Sequence, residues 1–363
     1  MPVTQHTVAH TVAHTVAVTQ VRQILQGVRQ RGDDTVPLLQ RAGIPPVLLD
    51  SPLARVSLAQ YALLIRVLRR HTRDELWGLC RRPLRVGSFG QCAAQLVHCR
   101  TLEEALRQGF RHYHGLIDDF VPRLTLQDGL ARVQIVRRGA PDPRLDYAQK
   151  AFLLFTFGLA SWLVARRVPV LAVDYTAPGP GSDSSRVYQA PIRHGAPHIG
   201  LNFEARWLAL PVVQNPQSLR EFLARAPANL LIRYRDTGSV SERLRRLLSR
   251  RLDAELPSLE VASQWLAMTP QTLRRRLAEE GHGYQALKDA LRRDTAIEYL
   301  ARPELTLIDI AQRLGFSEPS TFHRAFKKWC GVAPGEYRQT RLARLADSAL
   351  GHTAAPMPLS ADP

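Results

Sequence analysis

The segment from Thr306 to Arg338 constrains this chain most, because its local signals all point to one supersecondary unit. Apolar residues recur at helical spacing from Leu307 to Leu314. Gly315 follows, and glycine supplies the backbone freedom that a sharp turn needs. A second stretch with helical periodicity comes after the turn. The segment therefore predicts two helices joined by a tight turn, the helix-turn-helix arrangement.

The second helix of this unit has a clear start and two distinct faces. Ser317 is expected to cap it, and Glu318 and Pro319 suit its first turn. Phe322 and Phe326 lie four residues apart and are expected to face inward. The opposite face carries hydrogen-bond donors and positive charge: Ser320, Thr321, His323, Arg324, Lys327 and Lys328.

That polar face suits the major groove of DNA, where the N-terminal part of the second helix meets base edges. Ser320, Thr321 and Arg324 are the candidates for base contacts, and the other three residues are expected nearer the phosphates. The alternative is an ordinary amphipathic helix with a solvated face.

An earlier segment, Pro257 to Gly281, repeats the layout. Thr269 is expected to cap its second helix, Pro270 to open it, and Leu273 and Leu277 to take the places of the two phenylalanines. Its exposed candidates are Gln271, Thr272, Arg274 and Arg275. Gln pairs well with adenine and Arg with guanine, so these side chains suit direct readout of bases.

The stretch from Tyr284 to Ala301 joins the two units and contains neither Gly nor Pro. Its apolar stripe, formed by Leu287, Leu291, Ile297 and Leu300, predicts one continuous linker helix. A stiff linker would hold two DNA-reading helices in a fixed relation, and successive major grooves lie about 34 Å apart on one face of the duplex.

The run LGFSEPSTFHRAFKKWCGVAPGEYR, which ends at Arg338, resembles the C-terminal signature of AraC/XylS-type transcription regulators. The resemblance implies two helix-turn-helix units that bind promoter DNA, most often to activate transcription. Members of this family differ in whether both units engage DNA at once. The first unit departs from the family pattern at two positions: Ala267 stands where Gly is frequent, and Ser263 where Ala is usual.

The N-terminal part resembles the domain labelled arabinose-binding in a branch of the same regulators, typified by ornithine-utilisation regulators. The similar runs are Leu39 to Val56, Arg100 to Leu106 and Phe203 to Leu219. Periodicity predicts helices over Val18–Arg31, Ser57–His71 and Ala148–Val164, and strands over Leu84–Phe89, Val121–Leu126, Leu130–Arg137, Val170–Tyr175 and Pro191–Phe203.

This mixture of helices and short strands predicts an α+β sensor domain, followed by an all-α C-terminal domain. The expected divisions are a low-complexity tail over 1–17, a ligand-sensing domain over 18–228, a DNA-binding domain over 229–345 and a disordered tail over 346–363. The repeated His-Thr-Val-Ala of the first tail places His6, His10 and His14 in a helical register. Metal binding is one interpretation of that repeat, and a frayed tail is the simpler one.

The most chemically suggestive cluster of the N-terminal half lies in HYHGLIDDF, and its members are His112, His114, Asp118 and Asp119. Three interpretations stay open: a metal or catalytic site, a polar wall of an effector pocket, or structural hydrogen bonding. No nucleophile elbow, paired-carboxylate signature or nucleotide-binding glycine motif is present, so neither an enzyme nor a bound cofactor is expected.

The net charge of +17 suits a polyanionic partner, but its distribution does not locate the DNA site. Residues 233–345 hold 21 Lys and Arg against 14 Asp and Glu, whereas residues 1–232 hold 28 against 16. The DNA prediction therefore depends on motif geometry. The four cysteines form no C-x-x-C pair, which favours reduced, buried thiols over redox sensing by Cys92 and Cys99. No membrane-spanning run or secretory signal is seen, so a cytoplasmic location is expected.

Together these features predict a transcription regulator that binds promoter DNA and is controlled by a small-molecule effector in its N-terminal domain. Activation, contact with RNA polymerase and a homodimer are further expectations. In a second interpretation the N-terminal domain serves only for dimerisation or polymerase contact. A third, from the enzyme class, is a hydrolase-like domain fused to a DNA-binding module.

Overall fold

The computed structural model describes residues 15–177, 187–224, 226, 239–254, 256–280 and 283–338. The three N-terminal histidines, the expected division between residues 228 and 229, and the tail over 346–363 lie outside the described residues. The N-terminal part combines helices with two sheets, and the C-terminal part is helical, which confirms the predicted α+β and all-α classes. No helix in the described ranges is long and apolar enough to cross a membrane.

Among the described residues, the N-terminal part contains seven strands, eight α-helices and two 3-10 helices with given bounds. In chain order, the strands are β1 Thr15–Ala17, β2 Arg55–Ser57, β3 Phe120–Gln127, β4 Leu130–Arg137, β5 Ala172–Tyr175, β6 Ile192–His194 and β7 Ile199–Glu204. The α-helices are α1 Val18–Ile24, α2 Gln26–Gln30, α3 Val36–Arg41, α4 Leu58–Thr72, α5 Ser88–Leu96, α6 Leu102–His114, α7 Pro143–Leu163 and α8 Pro216–Ala224, and 3-10 helices span Pro46–Asp50 and Ala205–Ala209.

Five strands form the main sheet in the order β3-β4-β7-β5-β6, and only the β5–β6 pair is parallel. The strands predicted over Val121–Leu126 and Leu130–Arg137 are confirmed as β3 and β4, which pair as a hairpin. Its turn residues Asp128 and Gly129 have φ of +52° and +72°, the left-handed pair that a two-residue hairpin turn with the correct twist requires.

The predicted strand over Leu84–Phe89 is wrong, because two carboxylates bind the backbone N–H groups that a neighbouring strand would have bound. The Asp74 carboxylate accepts from the N–H of Leu84 at 2.8 Å, and that of Glu75 accepts from Gly87 and Phe89, each at 2.8 Å. Ser88 then begins α5. Side-chain hydrogen bonds of this kind compete with sheet pairing.

The N-terminal tail and first helix also differ from the expectation. The low-complexity tail predicted over 1–17 includes Thr15, Val16 and Ala17, but these residues form β1 and pair antiparallel with β2. The single helix predicted over Val18–Arg31 is divided at Leu25 into α1 and α2. Gly27 of α2 lies so close to the backbone of Trp77 and Gly78 that a Cβ on Gly27 would be 2.3 Å from the Trp77 carbonyl oxygen.

The C-terminal part contains six helices whose two ends both lie among the described residues, and residues 334–338 are helical as well. The six are α9 Val240–Ser249, α10 Leu259–Trp265, α11 Pro270–Glu279, α12 Tyr284–Leu300, α13 Leu307–Arg313 and α14 Pro319–Cys330. The pairs α10–α11 and α13–α14 are the two predicted helix-turn-helix units, and α12 is the predicted linker helix.

The hydrophobic interior consists of two clusters, and both include part of α12. The smaller one joins α9 and the first unit to the start of the linker helix, through residues such as Leu244, Leu273 and Leu291. The larger one is continuous from the N-terminal domain into the second unit, and it takes in Leu300 and Phe322. The second unit is therefore packed with the N-terminal domain, whereas the first unit has a core of its own.

The turns of the two units share one backbone conformation but use different residues. Gly315 has φ +72° in the second unit, and Ala267 has φ +53° at the equivalent place in the first. A side chain is strained in this left-handed region, at a cost of about 1–2 kcal/mol. Gly315 has a second constraint, since a Cβ there would lie 2.5 Å from the Ala254 carbonyl oxygen.

We predict that the two turn residues respond in opposite directions to exchange of Gly and Ala. Ala267→Gly should raise the free energy of unfolding by roughly 0.5–1 kcal/mol, because relief of strain exceeds the added freedom of the unfolded chain. Gly315→Ala should lower it by at least about 2 kcal/mol, through strain and the clash with Ala254. Urea unfolding followed by helical circular dichroism measures both. A destabilised Ala267→Gly variant or a neutral Gly315→Ala variant would contradict this account.

Candidate nucleic-acid interface

The first helix of the second unit, α13, is held at its start by a reciprocal pair of hydrogen bonds. The N–H of Thr306 donates to Asp309 Oδ2 at 2.8 Å, and the N–H of Asp309 donates to Thr306 Oγ1 at 3.1 Å. The Thr306 hydroxyl also donates to Asp309 Oδ2 at 2.6 Å, and this bond, together with the one from the Thr306 N–H, lowers the pKa of Asp309 from its ordinary value. The arrangement is a capping box, which satisfies two backbone donors that a helix start leaves open.

The second helix of this unit, α14, starts one residue later than the predicted cap implies. Glu318, and not Ser317, is the N-cap residue, with extended φ −129° and ψ 135°. Pro319 explains the difference, because the residue before a proline is disfavoured in the helical region. The Glu318 side chain caps no backbone group and instead accepts a hydrogen bond from Ser320 Oγ at 3.1 Å.

The two faces of α14 are as predicted. Phe322, Phe326 and Cys330 point inward at successive helical turns, and the Phe326 ring packs edge-on against Tyr337 at 5.7 Å between centroids. The six predicted DNA-reading residues, Ser320, Thr321, His323, Arg324, Lys327 and Lys328, are all exposed. Their placement on an open face is therefore confirmed, whereas their contacts with DNA stay a prediction.

The helix α11 of the first unit has the predicted start. Thr269 is its N-cap, its hydroxyl accepts from the N–H of Thr272 at 3.1 Å, and Pro270 follows at the first helical position. Leu273 and Leu277 are buried as expected.

Two of the four DNA-reading candidates on α11 are already engaged within the unit. The Thr272 hydroxyl lies 2.8 Å from Thr269 Oγ1, and Arg275 Nη1 forms an ion pair with Glu279 at 3.2 Å. Gln271 and Arg274 are exposed, with no hydrogen bond or ion pair to another described residue. The first unit thus offers fewer open donors than the second.

Glu280, which the sequence analysis missed, ties the end of α11 to the start of α9. Its two carboxylate oxygens each accept a hydrogen bond at 2.9 Å, one from the N–H of Val240 and one from that of Ser241. A carboxylate is favourable at a helix N-terminus, where backbone N–H groups are unpaired. No local pattern could have revealed this contact, since the partners lie 40 residues apart in sequence.

The predicted cluster of His112, His114, Asp118 and Asp119 does not form one site, because these side chains have different neighbours. His114 Nε2 lies 2.9 Å from the Pro122 carbonyl oxygen, and Asp118 pairs with Arg82 at 3.0 Å. His112 Nε2 is buried with no hydrogen-bond partner in the described part of the chain. No group of three or more metal-ligating side chains comes together among the described residues.

Asp119, the fourth member of that cluster, is buried and lines a cavity of about 130 Å³ at the start of α7. Its Oδ2 accepts from the backbone N–H of Arg81 at 2.9 Å. Its Oδ1 lies 3.4 Å from Arg81 Nε and accepts no hydrogen bond from a described residue. Asp142 and Arg144, which are ion-paired at 2.6 Å, complete the charged lining.

A second cavity, between α5, α6 and α7, is apolar and much smaller. It is lined by residues such as Leu96, Phe110 and Phe152, and its volume of about 30 Å³ has room for little more than one water molecule. A metabolite would have to open this region to enter it. The polar cavity at Asp119 is therefore the better candidate for a ligand.

The C-terminal region has the architecture of a double helix-turn-helix protein, in which two exposed helices are held by one linker helix. This architecture defines the class of DNA-binding transcription regulators. The model described as "Arabinose-binding domain of AraC transcription regulator, N-term" matches residues 32–212, and a helix-turn-helix domain model matches residues 262–340. The chain belongs to the AraC-type transcription regulators.

Several known proteins are similar over most of this chain. The ornithine utilization regulator of Pseudomonas aeruginosa is 27% identical over 326 residues, which cover 89% of this chain and 96% of that protein. VirS of Mycobacterium tuberculosis is 28% identical over 321 residues, or 86% and 92%. The crystal structure of CdpR from Pseudomonas aeruginosa aligns with a TM-score of 0.31 and 20% identity, over 88% and 98%. Both proteins matched by sequence are named as regulators.

All four cysteines are unpaired and buried. Burial raises the pKa of the Cys92 and Cys330 thiols to about 12 each, and it raises those of Cys80 and Cys99 as well. Cys92 lies on α5, whereas Cys99 lies beyond the end of that helix. A protonated, enclosed thiol is a poor nucleophile, so the buried-thiol interpretation is favoured over redox sensing.

We predict that the native chain resists thiol modification. At pH 8 a disulfide reagent such as Ellman's reagent should react with the cysteines at least about 100-fold more slowly than with glutathione, because thiolate is scarce and access is blocked. Unfolding in guanidinium should release all four thiols. Rapid reaction of Cys92 or Cys99 in the native chain would instead support the redox interpretation.

Proposed function

We propose that this regulator reads an asymmetric DNA site with α11 and α14 in major grooves and is controlled by a small effector in the N-terminal domain. The main support for DNA binding is the pair of open, basic helix faces, on α11 and α14, that are attached to one continuous linker helix. The 17 residues of α12 span about 26 Å, close to the roughly 34 Å between successive major grooves.

The side chains of α11 and α14 suit two kinds of contact with DNA, one with base edges and one with phosphates. Arg324 extends from an exposed position in the first half of α14, where a guanidinium can bind guanine with two hydrogen bonds. Lys327 and Lys328 lie further along the helix and suit phosphates, which contribute affinity without sequence preference. In the first unit, Gln271 and Arg274 are proposed to contact bases, and Thr272 and Arg275 to contribute less because their polar groups are already paired.

We predict that Arg324→Ala weakens binding to a duplex selected by the wild-type chain from a random pool. The loss should be roughly 1–3 kcal/mol, with relaxed preference at one base pair, because a bidentate contact with guanine is removed. Titrations at several salt concentrations measure it. Arg220→Ala, which removes an exposed arginine of α8 in the N-terminal domain, is the matched control and should leave affinity unchanged.

The outcome for Arg324 distinguishes two kinds of contact. A uniform loss over all duplexes with a shallower salt dependence would assign Arg324 to phosphate and contradict its role in base reading. Lys327→Ala is expected to behave in that second way. Equal affinity of wild type for selected and scrambled duplexes would refute the DNA part of the proposal.

The effector is proposed to occupy the cavity at Asp119. The buried Oδ1 of Asp119 can accept a hydrogen bond from an ammonium group, and the Arg81 guanidinium beside it can bind a carboxylate. About 130 Å³ is less than the roughly 300–1,000 Å³ of sites for drug-sized ligands, which favours a molecule of amino-acid size. The name of one relative refers to ornithine, which carries both groups.

We predict that ornithine or another amino acid stabilises the full-length chain in thermal unfolding. At about 100 times its Kd, a ligand adds about 2.7 kcal/mol of stability. Asp119→Asn should abolish the shift, because the charge that pairs with ammonium is lost. Asp118→Asn is the matched control: that residue is exposed and pairs with Arg82, so its variant should keep the full shift.

The same experiment tests the alternative role of the N-terminal domain. If no amino acid shifts the melting temperature of the wild type, the effector proposal fails, and a domain that serves only dimerisation or polymerase contact is favoured. Equal shifts in both variants would move the ligand away from Asp119.

We further propose a cytoplasmic homodimer that activates promoters through RNA polymerase, which a reporter gene with and without the regulator would test.

A further inference from the structure

The linker helix α12 carries a buried carboxylate at the boundary between the two hydrophobic cores. Leu291 belongs to the smaller core, which contains the first unit, and Ala296 and Ile297 belong to the larger core, which contains the second. Asp294 lies between them, and only 4% of its side chain is exposed. An ionised group at such a position is costly unless it is closely paired.

The partners of Asp294 come from three different parts of the chain. Thr15 of β1 donates its hydroxyl to Asp294 Oδ1 at 2.6 Å. Arg293 of the linker donates to the same oxygen through Nε at 3.1 Å and Nη2 at 3.0 Å. Arg245 of α9 places Nη1 3.6 Å from Oδ2, and its side chain is 7% exposed. The carboxylate thus joins the N-terminal domain, the linker and the first unit.

The N-terminal side of this junction is itself organised by Arg55 of β2. Arg55 Nε donates to Thr15 Oγ1 at 2.7 Å, and Nη2 donates to the Thr15 carbonyl oxygen at 2.9 Å. The Thr15 hydroxyl therefore accepts from Arg55 and has its own proton directed at Asp294. The Arg55 carbonyl oxygen accepts from the Tyr337 hydroxyl at 3.0 Å, which extends the network to the residues that follow α14.

The charge state of Asp294 follows from these neighbours. Burial alone raises the pKa of this carboxyl, but the charges of Arg293, Arg245 and Arg55 and the hydrogen bond from Thr15 outweigh it and bring the pKa to about 2. The group is therefore ionised throughout the physiological range. Loss of one partner would leave a buried charge poorly compensated, so these contacts are expected to be made or broken together.

We propose that Asp294 is a positioning residue that sets the angle between the two DNA-reading helices and makes that angle depend on the N-terminal domain. The second unit is already continuous with the N-terminal core. The first unit is connected to the N-terminal domain through α9. Arg245 of α9 pairs with Asp294, and the start of α9 is hydrogen-bonded to Glu280 at the end of α11. Displacement of β1 would remove Thr15 from Asp294 and loosen the first unit. This inference rests on the DNA-reading proposal.

The test uses the full-length chain and the duplex that the wild type selects from a random pool. Footprinting locates the two half-sites, and a second duplex carries one extra base pair between them. That insertion turns one half-site by about 34–36° relative to the other. The measured quantity is the ratio of the two Kd values. A rigid pair of units should give a ratio of at least about 10, because only one half-site can then be bound correctly.

We predict that Asp294→Asn lowers this spacing ratio to about 3 or less, because loosened units tolerate the rotated half-site. Thr15→Val, which removes only the hydroxyl that reaches Asp294, should lower the ratio in the same direction by at least about twofold. Asp289→Asn is the matched control on the same helix, since Asp289 is only half-buried and, among the described residues, bonds to Gln285 of its own helix. It should keep the wild-type ratio.

The outcomes separate this inference from the proposal beneath it. If the wild type prefers no duplex, the DNA-reading proposal fails. If the wild type discriminates and both folded variants keep its ratio, or lose affinity equally for both duplexes, Asp294 has only a structural role and the inference is overturned. If Asp294→Asn does not fold by circular dichroism, Thr15→Val decides the matter alone.

Discussion

One continuous helix, α12, contributes residues to both hydrophobic cores of this protein and so fixes how the two can be arranged. The first half of α12 completes the core of the first unit, and its second half lies in the core shared by the second unit and the N-terminal domain. Because both cores are packed on the same continuous helix, one core can rotate relative to the other only if a contact at the boundary between them changes. That boundary falls at Asp294.

A buried ion pair is a weak source of stability, because the desolvation of both charges offsets most of their attraction. The value of Asp294 with Arg245 and Arg293 therefore lies in geometry. Hydrogen bonds and charges are directional, whereas apolar packing between helices tolerates rotation and sliding. A carboxylate at the boundary can define one orientation of α9 against α12, and a leucine there would define it less strictly.

The two units share a plan but differ in how firmly they are held. The second unit has glycine at its left-handed turn, aromatic residues in its interior and a core continuous with the N-terminal domain. The first unit has Ala267 at the same turn, leucines inside and a small separate core. Two of its four candidate DNA contacts are also paired internally. These differences make the first unit the part whose position can respond to the N-terminal domain.

Features that depend on neighbours a few residues apart could be predicted from the amino-acid sequence. The two helix-turn-helix units, the linker helix, the β3–β4 hairpin and the exposed face of α14 follow from periodicity, caps and turn residues. Contacts between distant residues could not be predicted in this way. They include the pairing of Thr15–Ala17 with β2, the carboxylates that bind the backbone near Leu84, and the separate partners of His114, Asp118 and Asp119. The junction at Asp294 joins residues 279 positions apart. The sequence indicates this junction only through an acidic residue, Asp294, on the apolar stripe of α12. Its partners depend on the tertiary fold, which brings distant parts of the chain together.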